Sequence, residues 1–187
     1  NSKVKSSHIL VVILMKLFIK AILVAALIMG FSGQARADFR DGDQVPEHII
    51  RPLMSWVEMQ TGVRVPSLPP VIASRTYLID IVKGMGRTAG RAKAVYAGGM
   101  VILDHNRFDP TDKYELSLLL HELVHYAQGF KRQSNWACPQ AKEREAYTLQ
   151  NRWLEEQGRS PYVRASWIQR MASCSYTNGG ISLAMAR

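Results

Sequence analysis

From residue 38 onward, apolar and polar residues recur in patterns that predict short helices and strands. Apolar residues three and four positions apart in "PEHIIRPLMSWVEMQTG" predict a helix that ends at Gly62. Prolines then indicate a connection, after which Val71–Ala73 is predicted as a short strand. "TYLIDIVKG" fits a helix or a strand equally well. Two β-rich runs around Gly98 and Gly99 predict a hairpin whose second strand is Met100–Leu103.

The clearest helix is predicted within "FDPTDKYELSLLLHELVHYAQG". Asp112 with Glu115 three residues later is typical of a capping box at a helix start, and Gly129 is placed to end the helix. Apolar residues occupy almost every side of this helix. Since such a helix has no face suited to water, we expect it to lie in the middle of a domain.

Two further helices are predicted downstream. One runs from near Pro139 to Gly158, and the other is "PYVRASWIQRMAS", with Pro161 at its start. The buried stripe of the first comprises Ala146, Leu149, Trp153 and Leu154. The order of one helix, short strands and then helices predicts an α+β fold, with residues 38–187 forming a single domain.

The first 37 residues have the composition of a targeting segment. After Met15, Lys16 and Lys20 form a positive region, residues 21–31 are apolar, and residues 35–37 read Ala-Arg-Ala, a small-x-small cleavage site. We expect residues 1–14 to be upstream sequence and the signal peptide to be cleaved after Ala37. A retained membrane anchor is the alternative, but the two lysines interrupt the apolar run. The domain is therefore expected to be periplasmic or secreted, and off the membrane after cleavage.

Removing this segment changes the charge balance of the chain. The formal net charge is +9, but five of the 24 Lys and Arg residues and none of the 15 Asp and Glu residues precede Asp38, which leaves +4. Such a balance is ordinary for a soluble surface and gives no reason to expect nucleic acid as a partner. About 150 residues remain, enough for one domain with its own core, and we expect a monomer.

Both cysteines lie in this domain. In an exported protein, Cys138 and Cys174 are expected to form a disulfide. The loop that it closes would contribute about 4 kcal/mol in the chain-entropy model. The alternative is a pair of unrelated buried thiols.

The buried helix carries the motif H-E-x-x-H at residues 121–125. His121 and His125 lie one turn apart on the same helix face, a spacing that lets two imidazoles bind one zinc ion, and Glu122 can reach a water molecule on that ion as general base. The alternative is a pair of core histidines. Burying two imidazoles and a carboxylate without partners costs several kcal/mol, which a metal ion would offset.

A zinc site needs a third protein ligand, and the sequence offers few. No histidine or aspartate follows His125, and the long metzincin pattern fails because Gln128 and Lys131 stand where it needs glycine and histidine. The carboxylates downstream are Glu143, Glu145, Glu155 and Glu156. The last two lie at a charged helix end, so the residues alone leave Glu143 and Glu145 open.

At these residues the chain resembles the gluzincins, zinc metallopeptidases in which a glutamate on a following helix completes H-E-x-x-H. In several of them that helix reads E-x-x-small-Asp. Glu143 matches as the ligand, Ala146 matches as the small residue, and Tyr147 replaces the aspartate that supports a ligand histidine. Placing Glu145 as the ligand gives a poorer match. The resemblance covers residues 95–156, and it implies that "GGMVILDH" is an edge strand along which a peptide can lie.

The resemblance implies a small zincin-like domain that hydrolyses peptide bonds in peptide or protein substrates. Zn²⁺ would be held by His121, His125 and Glu143, with Glu122 as general base for a metal-activated water. Candidate donors to the oxyanion are Tyr126, Tyr147 and His105.

The sequence leaves two other functions open. An exported zinc-binding protein with a structural or catalytically inactive site is the main alternative, although a structural site has no need of Glu122. A hydrolase of another amide, such as one in cell-wall material, is the second.

Overall fold

A computed structural model describes residues 38–86, 90, 92–131, 136–175 and 184–185. Within these residues the predicted α+β fold in one small domain is confirmed. The predicted signal peptide, residues 1–37, lies outside the described residues. In the part of the chain that is described, no helix combines the length and the apolar character needed to cross a membrane.

Five α-helices are described. They are α1 (Glu47–Thr61), α2 (Arg75–Gly84), α3 (Lys113–Gln128), α4 (Lys142–Glu156) and α5 (Ala165–Met171), and a 3₁₀ turn, Pro139–Ala141, leads into α4. The described strands are β1 (Asp43–Gln44), β2 (Val71–Ala73), β3 (Ala92–Ala97), β4 (Met100–Leu103) and β5 (Ala184–Met185). The predicted helices, the strand β2 and the β3–β4 hairpin are confirmed.

The ambiguous segment "TYLIDIVKG" belongs to the helix α2. The Ser74 side chain caps this helix by accepting a hydrogen bond from the backbone N–H of Tyr77. Leu78 and Val82, one turn apart, are the fully buried residues of the helix and pack against the sheet. The cap and this four-residue spacing explain why a helix forms where alternation alone allowed a strand.

The sheet has the order β1-β2-β4-β3-β5, and this order corrects the prediction of an edge strand at "GGMVILDH". The strand β4 is internal, because β2 pairs with it in parallel on one side and β3 pairs with it in antiparallel on the other. Such parallel pairing joins residues about 30 positions apart and leaves no local signal. On its other side β3 pairs with β5, and among the described residues this pairing joins Ala92 to Met185 and Ala94 to Ala184.

The helix α3 is buried, as its sequence predicts, and lies between the sheet and α4. Its N-terminus is capped by Asp112, whose side chain accepts a hydrogen bond from the Tyr114 N–H. Glu115, predicted as the other half of a capping box, instead forms an ion pair with Lys93 on β3. Ala146 on α4 is fully buried in the core that also contains the apolar residues of α3.

The last helix begins later than predicted, at Ala165 rather than at Pro161. Asn151 explains this difference, since its side chain accepts hydrogen bonds from the N–H groups of Tyr162 and Val163 and donates one to the Val163 carbonyl. These bonds hold the segment in a non-helical conformation. The predicted helix start at Pro161 was therefore wrong.

The predicted disulfide between Cys138 and Cys174 is present, with a Cα–Cα distance of 5.7 Å. Cys174 follows α5, and Cys138 immediately precedes the 3₁₀ turn that leads into α4. The bond thus ties the segment after the last helix to the start of α4, the helix that carries Glu143.

Candidate metal centre

The two histidines of the motif turn their rings towards the same point on the α4 side of α3. His121 Nε2 and His125 Nε2 are 3.2 Å apart. One oxygen of Glu143 lies 3.5 Å from His121 Nε2, and the other lies 3.6 Å from His125 Nε2. One potential ligand atom from each of the three residues lies within 4.8 Å of the other two. The structure therefore brings together the three side chains that the sequence predicted as ligands.

The two glutamates left open by the residues alone have different surroundings. Glu143 is 4% exposed and faces the histidines. Glu145 points towards the end of α3, where it accepts a hydrogen bond from Gln128 and forms an ion pair with Lys131. Since residues two apart on a helix lie on different sides, only Glu143 reaches the cluster.

The other ring nitrogen of each histidine contacts a glutamine that the sequence analysis did not select. His121 Nδ1 lies 3.1 Å from Gln150 Oε1, and His125 Nδ1 lies 2.9 Å from Gln128 Oε1. Gln150 donates to the Ser117 hydroxyl. In a metal centre, such outer partners orient the imidazole and set which nitrogen faces the ion.

Tyr147, which replaces the aspartate expected from the resemblance to gluzincins, contacts His121 through its ring. The two ring centroids are 4.3 Å apart with planes at 56°, and the Trp167 ring packs nearly perpendicular to Tyr147, with centroids 4.9 Å apart. The histidine therefore receives an aromatic contact from this position, while its hydrogen-bond partner is Gln150, two helical turns after Glu143.

Glu122 is fully buried beside the cluster and lies against β3 near the C-terminal end of that strand. Its Oε2 atom accepts a hydrogen bond of 2.8 Å from the backbone N–H of Tyr96 on β3. Burial raises the pKa of the Glu122 carboxyl above its usual range, although the neighbouring His121 and His125 oppose the rise. A carboxyl with a raised pKa can exchange a proton closer to neutral pH than an exposed one.

The cluster favours positive charge. Burial acts to lower the pKa of His125, but the nearby carboxylate of Glu143 outweighs this effect and raises that pKa to about 9. Burial acts to raise the pKa of Glu143, but the imidazoles of His121 and His125, 3.5 and 3.6 Å from its oxygens, overcome this effect and hold that pKa far below its usual range. A cation at this point, whether a proton or a metal ion, is stabilised by the same groups.

The three residues predicted as oxyanion donors lie in different places. Tyr126 is on α3 one turn after Glu122, and its hydroxyl donates to the Ser67 carbonyl. Tyr147 is buried against His121. His105 lies beyond the end of β4, where Nδ1 accepts from the Arg75 N–H and faces Asp41. The position of His105 suits a loop residue that joins elements, which is the role more common for such a histidine.

Sequence reasoning missed the glutamines Gln128 and Gln150, the Ser117 hydroxyl and the backbone of Tyr96. The side-chain signal was a polar residue within an otherwise buried stripe: Gln128 ends an almost wholly apolar helix, and Gln150 follows buried Leu149. No sequence signal pointed to the backbone N–H of Tyr96, because its position depends on how the sheet packs on α3.

Comparison with known proteins gives a family without an assigned activity. No curated protein and no solved structure matches the chain. One family model, described as "Domain of unknown function (DUF6647)", matches residues 43–179 and so spans all the helices and the strands β1 to β4 described above. The chain belongs to this family.

Proposed function

We propose that this protein is a zinc-dependent hydrolase of peptide bonds in which His121, His125 and Glu143 hold the metal. The observation that carries the proposal is the convergence of one ligand atom from each residue to within 4.8 Å, on two helices that pack together in the core. Two imidazoles and one carboxylate are a common ligand set for catalytic zinc, which keeps a further position for water.

The cluster fits a cation better than it fits a set of hydrogen bonds. Glu143 Oε2 is buried and has no hydrogen-bond partner among the described residues, and His121 Nε2 is 3.5 Å away from it. Leaving a buried carboxylate oxygen without a partner is costly, and a metal ion would remove that cost.

Zinc, when bound, would supply a Lewis acid that polarises the carbonyl and makes a water molecule reactive near neutral pH. Glu122 then acts as general base. It follows His121 directly in the chain, its pKa is raised by burial, and the Tyr96 N–H holds one of its oxygens. The same carboxyl can return the proton to the leaving amine.

The compartment we propose is periplasmic or extracellular, with peptides or proteins as substrates. The disulfide between Cys138 and Cys174 supports an oxidising compartment, since such bonds are rare in the cytosol.

A second candidate function, a structural or catalytically inactive zinc site, is favoured by the burial of the centre. His121 and Glu122 are 0% exposed and Glu143 is 4% exposed. A peptide must reach the metal to be cut, whereas a metal that only stabilises the fold needs no access. The role of Glu122 separates the two candidates, because a purely structural site gives it nothing to do.

The experiment that tests the proposal is the metal content of the purified protein and of three variants, His121→Ala, Glu143→Ala and Glu145→Ala. We expect about one zinc per chain in the parent protein and in Glu145→Ala, and none in the other two variants. A parent protein that binds no zinc, even when zinc is supplied, would overturn the proposal. Loss of zinc in Glu145→Ala but not in Glu143→Ala would reassign the third ligand.

A further inference from the structure

Two buried hydrogen-bond chains run from the histidines into the protein, and their surroundings fix which group donates and which accepts in each bond. In the first, the Ser117 hydroxyl donates to the backbone carbonyl of Tyr114, 2.7 Å away. Because a carbonyl only accepts, the hydroxyl proton is committed to it, and the Ser117 oxygen is left to accept from Gln150 Nε2 at 3.0 Å. Gln150 Oε1 must then face His121 Nδ1 as an acceptor.

The second chain has the same direction at His125. Gln128 Nε2 donates to the backbone carbonyl of Lys142 and to Glu145 Oε2, each at 3.0 Å. Both partners are acceptors only, so the orientation of the amide is fixed by its surroundings. Gln128 Oε1 therefore accepts from His125 Nδ1, 2.9 Å away.

Both chains have one consequence for the rings. Each Nδ1 carries a proton, so the lone pair of each neutral imidazole is on Nε2, and these two nitrogens face one another 3.2 Å apart. We propose that Gln150 and Gln128 are positioning residues that hold His121 and His125 in the Nδ1–H form, with both Nε2 lone pairs directed at the metal. This inference rests on the proposed function, since it concerns how the same site binds its ion.

Burial makes the two glutamines hard to replace. Gln150 is 0% exposed and Gln128 is 2% exposed, so water cannot take over as the acceptor for either Nδ1–H. A methionine at either position would keep most of the volume and remove the acceptor. The ring would then be free to turn, and Nδ1 and Nε2 would compete for the ion.

The test is the zinc affinity of Gln150→Met and Gln128→Met, measured by competition with a chromophoric chelator. We expect each variant to bind zinc about 10- to 100-fold more weakly than the parent protein. Gln150→Glu should bind zinc at least as tightly as the parent protein, because a carboxylate oxygen at this position also accepts from Nδ1–H. The exposed Gln169→Met on α5 is the control and should bind like the parent.

A second measurement separates positioning from mere stability. In the zinc-loaded parent protein, imidazole ¹⁵N and ¹³C NMR shifts should show both rings binding through Nε2 and carrying a proton on Nδ1. In the methionine variants we expect ligation through Nδ1 or a mixture of the two. Parent-like affinity together with Nε2 ligation in both methionine variants would overturn the inference and leave the zinc site intact. Failure of the parent to bind zinc would instead overturn the proposed function.

Discussion

The backbone N–H of Tyr96 donates a hydrogen bond of 2.8 Å to Oε2 of Glu122, which joins the strand β3 to the carboxylate of the motif. The bond holds a fully buried acid against the backbone of the sheet. A side chain at position 122 that keeps an oxygen acceptor can therefore preserve the fold while changing the chemistry.

Glu122→Gln is expected to bind zinc like the parent protein and to lose peptide hydrolysis by about 100-fold or more, because an amide cannot accept the proton from water. The amide oxygen can still accept from the Tyr96 N–H. Metal content, thermal stability and turnover of a peptide library measure the three parts of this expectation. If hydrolysis stays at the level of the parent protein, Glu122 is not the base. A parent that binds zinc but cuts nothing in the library would favour the second candidate function.

Zinc affinity is expected to depend on pH through His125. In the metal-free protein its pKa is raised to about 9, so below that pH the ring carries a proton that zinc must displace. Affinity should therefore rise about tenfold per pH unit from pH 7 towards 9 and then level off. Calorimetry in buffers of different ionisation enthalpy should show about one proton released per zinc at pH 7. An affinity that does not change over this range would contradict a protonated His125.

Stability of the metal-free protein should follow the same groups. The raised pKa of His125 contributes stability that is complete below its unfolded value, near 6.5, and is lost as pH rises through about 9. The lowered pKa of Glu143 contributes stability above its unfolded value, near 4.5, and this is lost on acidification. The raised pKa of Glu122 contributes stability below its unfolded value, near 4.5, that is lost as pH rises, so chemical denaturation should find the metal-free protein most stable near pH 5. His125→Asn, which cannot ionise there, should lose the decline between pH 7 and 9.

Ala146→Leu should weaken both the fold and the metal site. Ala146 is 0% exposed in the core, one turn after Glu143, so a larger side chain must push α4 away from its neighbours. We expect the free energy of unfolding to fall by about 1 to 3 kcal/mol and zinc affinity to fall with it. Thr148→Leu, at an exposed position of the same helix, is the matched control and should change neither. Equal behaviour of the two variants would argue against close packing at Ala146.

Reducing the disulfide should loosen the end of α4 that carries Glu143. Cys138 lies five positions before this glutamate, and the bond closes a loop across a separation of 36 residues. We expect reduction to lower the free energy of unfolding by about 4 kcal/mol and to weaken zinc binding. The variant Cys138→Ser/Cys174→Ser controls for the reductant, since it should show both effects without treatment and no further change with it. Unchanged zinc affinity in this variant would show that α4 is held by its packing alone.

Local patterns in the sequence predicted most of the fold. Helix α3 and the β3–β4 hairpin depend on residues close together in the chain, and each was predicted from spacing and turn residues. The internal position of β4 was missed because it depends on pairing with β2, about 30 residues earlier. The late start of α5 was missed because it depends on the side chain of Asn151. This residue lies ten positions before Pro161, where the helix was predicted to begin.

The candidate ligands were predictable from local sequence, whereas the glutamines that contact the two histidines were not. His121, Glu122 and His125 form a motif, and few carboxylates downstream competed with Glu143. Gln128 and Gln150 have no motif, because glutamine is usually a surface residue and its choice here depends on which acceptors surround the amide. A glutamine inside a buried stripe is the feature of the sequence that indicates such a supporting residue.

The burial of the cluster also affects how fast an ion could leave. With His121 and Glu143 0% and 4% exposed, an ion held between them would have to escape past packed side chains, and exchange with solution would be slow. The metal in a purified sample would then record the ions that were available when the chain folded, rather than those in the buffer. Preparations made in different media are then expected to carry different metals until slow exchange equalises them, so affinity measurements need long equilibration.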